Sequence, residues 1–139
     1  MAQVAILVNG PSDPRKTEIS SALAILLGCP VLHPSKVQEA LMQQTGPVAP
    51  RDGLRALSID TIWRTSSLVE AGVVIDASWE PADLEAARTG LEGAGSPRLV
   101  EVWCSPSGAP LGLGPVVEVD DVTAVDMDDL VQRISALFV

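Results

Sequence analysis

The sequence has no tyrosine, one phenylalanine and one histidine, and its two cysteines, Cys29 and Cys104, stand far apart along the chain. Each shortage excludes something. His33 alone cannot assemble a metal cluster, and the cysteine separation matches no zinc or redox spacing, so both thiols read as buried and reduced in a cytoplasmic protein. No apolar run approaches the roughly 18 residues of a membrane span. The first run, Val4 to Val8, has no basic residue before it and is too short for a signal peptide.

Basic residues are the second shortage. Nine Lys+Arg face eighteen Asp+Glu, a formal net charge of −9. A chain of this charge repels phosphate backbones and anionic lipid headgroups, which disfavours nucleic acid and membrane surfaces as partners. The deficit is uneven: between Leu99 and Gln132 there is neither Lys nor Arg. What is abundant is apolar side chain, 47% of 139 residues against 19% charged. That composition belongs to one packed domain, residues 1–139, with a real core.

Uniformly apolar strand-like runs alternate with helical patterns. Val4–Val8 ends at Asn9-Gly10-Pro11, and a helix over 15–28 follows, with Ile19, Leu23, Leu26 and Leu27 inward and Gly28 as its stop. Val31–His33 is a short strand and 36–44 a helix; residues 46–53, rich in Pro and Gly, read as loop. A helix over 54–71 places Leu57, Ile62, Leu68 and Val69 inward. Val73–Ile75 forms the next strand, and Pro81 to Ala94 a helix with Ser78 or Glu80 near its start. Leu99–Cys104 and Val116–Val119 are strands, and Asp126 caps a final helix over 127–137 with Leu130, Ile134 and Leu137 inward. Alternation of this kind predicts an α/β three-layer sandwich around a parallel sheet.

In such a sheet ligands sit beyond the carboxyl ends of the strands. The first strand–helix junction reads Gly10-Pro-Ser-Asp-Pro-Arg15-Lys16-Thr17. A phosphate-binding loop requires G-x-x-x-x-G-K-[ST], in which glycines turn backbone N–H groups to the phosphates, Lys reaches the outer ones and Ser/Thr holds Mg²⁺. Gly10, Lys16 and Thr17 fit; Arg15 stands where the second glycine belongs. Pro14 removes an N–H, and Asp13 sets a carboxylate where an anion would lie. Two readings stay open. Either Asp13, Arg15, Lys16 and Thr17 form a modified loop that still binds nucleotide or another anion, or the junction is a turn whose Arg15 and Lys16 are solvated. Asp76, closing the third strand, reads equally as a helix-start acid beside Glu80 and Pro81.

At these residues the chain resembles small P-loop kinases of the AAA/zeta-toxin-like or chloramphenicol-phosphotransferase-like kind. VAILVNGPSDPRKT, LGCPVLHPSKVQEAL, GVVIDASW, PRLVEVWC and GLGPVVEVD with VDMDDLVQRI carry the resemblance, which spans nearly the whole length. It implies a five-stranded parallel sheet of order 2-3-1-4-5, ATP and Mg²⁺ as cofactors, Lys16 on phosphate, Thr17 and Asp76 on the metal, Asp76 as the catalytic acid, and Ser78 and Trp79 on the substrate side. The departures are equally specific. Lys36 stands where such kinases carry an acid, and a charged lysine cannot accept a proton there. After Cys104 comes SPSGAPLGLGP instead of an arginine-bearing helical lid, so the cations that phosphoryl transfer needs are missing from their place. Nothing in the sequence argues that Arg51, Arg55 or Arg64 replaces them.

The expectation is therefore a degenerate, lidless P-loop kinase-like domain, impaired in phosphoryl transfer and acting as a nucleotide- or anion-binding or protein-interaction module, a homodimer included. The alternative is an active ATP-dependent phosphotransferase of a small molecule. Trp63 and Trp103 read as core, and Trp79 as the tryptophan placed to line a pocket. The aspartates from Asp120 to Asp129 lack calcium-loop spacing and read as helix capping and solvated charge.

Overall fold

The computed structural model describes residues 4–138. Five strands, β1 (Val4–Asn9), β2 (Val31–Leu32), β3 (Val73–Asp76), β4 (Arg98–Trp103) and β5 (Val116–Glu118), form one parallel sheet in the order β2-β3-β1-β4-β5. Five helices cover it: α1 (Pro14–Leu27), α2 (Pro34–Thr45), α3 (Arg51–Ser66), α4 (Leu84–Gly93) and α5 (Met127–Ala136). This is the α/β architecture and strand order that the resemblance implies.

β1 is the central strand, in register Val8↔Asp76 with β3 and Asn9↔Trp103 with β4. Buried on both faces, it has no polar-out position, which explains its continuous apolar run. Its alternate side chains enter two separate cores. Ile6 and Val8 join Ile19, Leu23, Val100, Val102, Leu130 and Ile134 under α1 and α5. Ala5 and Leu7 join Ile59, Ile62, Trp63, Ile75, Trp79 and Leu99 under α3 and α4.

Several element ends differ from the sequence reading, each for a local reason. Helix α3 begins at Arg51, not Leu54, because Pro50 is its N-cap residue and its carbonyl accepts the Leu54 N–H at 3.1 Å. It stops at Ser66, not Ala71. There the Ser66 and Ser67 hydroxyls donate to the Trp63 and Arg64 carbonyls, each at 2.6 Å, and such side-chain bonds compete with helix continuation. Leu68 is consequently outside the helix and 82% exposed, and Leu57 also faces solvent. In α1 the buried stripe is Lys16, Ile19, Ser20, Leu23 and Ala24. Leu26 lies at the edge of this stripe at 55% exposure, and Leu27, though in phase with Leu23, sits in the last turn and is also exposed. Leu137 follows α5 and is exposed, whereas Leu130 and Ile134 are buried. Asp126 caps α5, its carboxylate accepting the Asp129 N–H at 3.1 Å. Helix α2 runs from Pro34 to Thr45, beyond both expected ends. Pro81–Asp83 form a separate 3₁₀ turn before α4.

Trp63 is fully buried, as expected; Trp103 is only half-buried at the end of β4. Gly90 makes room for Trp63: a Cβ there would lie 2.3 Å from its Cδ1. Replacing a helical glycine by alanine ordinarily gains about 0.5–1 kcal/mol. Here overpacking against an immobile ring costs about 1–3 kcal/mol and reverses the sign. Gly90→Ala is therefore expected to lower stability, read as a decreased urea midpoint at unchanged m-value.

Candidate functional site

The end of β3 and the segment after it, the loop between β1 and α1, the starts of α1 and α2, and one face of α3 line a cavity of about 340 Å³. Of the residues singled out from the sequence, Asp13, Lys16, Thr17, Asp76, Ser78 and Trp79 line it. Gly10 and Arg15 do not. Gly10 is buried at φ +141°, and a Cβ at that position would come 2.8 Å from the Cys104 carbonyl oxygen. Only glycine accepts both that conformation and that approach. Arg15 is exposed on the outer side of α1.

Lys16 is 3% exposed. Its ammonium donates to Asp76 Oδ1 at 2.9 Å, to the Ala77 carbonyl, and to Ser78 Oγ at 3.5 Å. The third strand's acid is thus the counter-ion of the loop lysine rather than a helix cap. The second Asp76 oxygen lies 3.5 Å from His33 Nδ1. Burial, with help from Lys36 and Lys16, lowers the His33 pKa below its ordinary 6.5, while Asp76 opposes this.

The loop is closed on itself. Asp13 is the N-cap of α1, its Oδ1 accepting the Arg15 N–H at 2.8 Å. The Asp13 carbonyl accepts the N–H groups of Lys16 and Thr17 at 3.0 and 3.3 Å. Pro11 and Pro14 contribute no N–H. The helix terminus that could face an anion therefore faces a carboxylate of the same chain.

Four residues that the sequence reading did not assign to the site shape its walls. Arg55 of α3 forms a two-pronged pair with Asp83, Nε to Oδ1 and Nη2 to Oδ2 both at 2.7 Å, and Nη2 also donates to the Ser78 carbonyl at 3.0 Å. Burial pushes the Asp83 pKa upward, but the hydrogen bonds from Arg55 and the Glu80 backbone outweigh it and leave the group below its ordinary value. Asn9, at the end of β1, accepts the Trp79 N–H at 2.8 Å and donates to the Trp79 carbonyl at 3.1 Å and to Glu101 Oε2 at 3.0 Å. Glu101 is fully buried in β4, with no ion pair among the described residues. Its remaining hydrogen bonds come from the Leu111 and Gly112 N–H groups, at 2.9 and 3.0 Å. The segment between β4 and β5 is thereby pinned to the sheet, with Leu111 and Leu113 against the α3/α4 core. The sequence held one signal for this: a glutamate in the middle of the otherwise apolar LVEVW.

Trp79 both lines the cavity and belongs to the core, 5% exposed with its ring 6.0 Å from that of Trp63. Cys104 is buried, with its thiol pKa pushed up to about 11, chiefly by desolvation, so it stays protonated and offers no nucleophile. Among the described residues no group of three His, Cys, Asp or Glu side chains is placed to hold a metal, and no helix is long and apolar enough to cross a membrane.

Removing one partner of a buried ion pair strands the other charge. Lys16→Met is expected to cost about 3–5 kcal/mol in denaturant unfolding, and a Lys16→Met/Asp76→Asn pair to recover part of that loss. His33 supplies a pH signature. Its folded pKa lies below the unfolded value, so its contribution is present above about pH 6.5 and is lost as pH falls through the folded value. Urea midpoints should therefore fall less steeply on acidification in His33→Asn than in the unsubstituted chain.

No protein-family model matches the sequence, and no curated protein does. Solved structures do match. A kinase candidate from Chloroflexus aurantiacus shares 19% identity at a TM-score of 0.69, over 97% of this chain and 95% of that one. The APS kinase of Mycobacterium tuberculosis shares 17% at 0.64, over 99% and 96%. A gluconokinase from Sinorhizobium meliloti shares 16% at 0.62, over 97% and 90%. At this identity the likeness concerns the backbone, and together with the strand order it shows that the chain has the fold of a small P-loop kinase.

Proposed function

We propose that the chain is a ligand-binding module on a P-loop kinase-like fold, impaired in phosphoryl transfer. One observation carries this reading. The Asp13 carboxylate occupies the start of α1 while the Lys16 ammonium is committed to Asp76, Ala77 and Ser78.

Residues 10–17 do not fit a triphosphate. A phosphate cradle needs backbone N–H groups converging on the anion, and here Arg15, Lys16 and Thr17 all donate to Asp13 instead. A phosphate entering would meet a carboxylate at close range and would have to draw Lys16 out of a buried pair. The connection after β4 bears no base and is pinned by Glu101, so no cation reaches the cavity from that side. In P-loop kinases that charge stabilises the transferring group.

A second reading has one observation in its favour: Lys16, Thr17 and Asp76 line a single cavity at the proper strand ends. An active ATP-dependent phosphotransferase would use Thr17 and Asp76 to hold Mg²⁺ and Lys16 to hold phosphate. Incubation with ATP·Mg²⁺ separates the two. The proposed module releases no ADP above background and gives the same trace with Lys16→Ala. ADP formation abolished by Lys16→Ala would establish the phosphotransferase.

A further inference from the structure

We infer that the cavity takes a small organic molecule bearing one oxyanion group, held at the α2–α3 side by Lys36 and Arg55 and not by residues 10–17. The inference rests on the reading above, in which the loop is closed to phosphate, and adds where an anion goes instead.

The charge distribution within the cavity directs it. Three basic side chains line it, Lys16, Lys36 and Arg55, against two carboxylates, Asp13 and Asp76. Asp83, just outside the lining, pairs with Arg55, so the three bases meet three carboxylates, but the compensation is uneven. Lys16 and Asp76 neutralise each other at 2.9 Å, and Asp13 makes the loop side repel anions. The cation left without a counter-ion is Lys36. Lys36, in the first turn of α2, forms no ion pair or hydrogen bond through its ammonium among the described residues. Arg55 is held rigid by its two-pronged contact with Asp83, while Nη1 carries no hydrogen bond. A guanidinium oriented in advance loses little entropy on meeting an oxyanion.

The surroundings suit such a ligand. The start of α2 adds the positive end of a helix, and His33, its N-cap residue, makes no side-chain cap bond. Ser35 and Ser78 add hydroxyls to the lining. A volume of about 340 Å³ lies at the small end of ligand cavities, which fits a compact carboxylate, sulfate or phosphate ester better than a nucleotide.

Inorganic phosphate and sulfate, titrated separately into the whole chain at low ionic strength by calorimetry, test this. Millimolar binding is expected, weakened roughly ten- to a hundredfold in Lys36→Ala and abolished in Lys36→Glu, since a charge-assisted hydrogen bond contributes about 1.5–3 kcal/mol. Lys36 is exposed, so both variants should fold. Arg51→Ala removes an exposed base outside the cavity and should leave the binding unchanged. No binding of either anion, full binding by Lys36→Glu, or an equal loss in Arg51→Ala would each overturn the inference. ADP formation from ATP in the same preparations would overturn the impaired-module reading while leaving a Lys36-dependent anion site standing, so the two failures are distinct.

Discussion

The pair between Lys16 and Asp76 governs the arrangement of this end of the sheet. It ties the first turn of α1 to the last residue of β3, across the central strand, and both charges are almost wholly removed from water. Desolvating two such groups is costly unless each is fully partnered. Lys16 meets this with Asp76, Ala77 and Ser78, and the second Asp76 oxygen lies 3.5 Å from His33 Nδ1. The arrangement fixes where α1 starts relative to β3 and gives the 76–79 segment its course. It also engages, within the protein, the two charges that a phosphate and a metal would otherwise attract.

A second network holds the other side of the cavity in place. Asn9 closes a two-way bond with the backbone of Trp79 and passes a third bond to Glu101, which in turn holds the segment between β4 and β5. A buried carboxylate with neutral donors only is stable when its lone pairs are met by well-directed N–H groups. Displacing that segment would therefore break both of the N–H bonds that Leu111 and Gly112 make to a fully buried carboxyl group. The segment between β4 and β5 is thus a short strap braced to the central strands. The cavity wall at Trp79 is coupled to the strap through a single asparagine.

The sequence was legible where one rule dominates. Uninterrupted apolar runs such as Val4–Val8 and Val73–Ile75 leave little choice but a sheet covered on both faces, and the Gly10–Thr17 junction announces a strand–loop–helix turn. It was less legible where several weak preferences compete. Leu26, Leu57, Leu68 and Leu137 fitted apolar positions in the text yet face water, because a helix's phase and end are set by contacts with the sheet and by local hydroxyl bonds. Within the site, Asp13 and Lys16 were visible as departures and matches, but their partners were not. Arg55 and Asp83 are 28 positions apart, and Asn9 and Glu101 are 92 apart.

Composition, alternation and the junction after β1 thus determined the α/β class and the strand ends at which to look. These follow from short-range periodicity and from the need to bury apolar surface, both properties of the chain itself. Only the tertiary structure decided which charges neutralise one another: that Asp76 takes Lys16, that Asp83 takes Arg55, that Glu101 holds the strap, and that Lys36 keeps its charge free at the cavity wall. The reason is that Coulomb and hydrogen-bond energies depend on separations of a few ångströms between residues remote in sequence, and folding alone sets those separations.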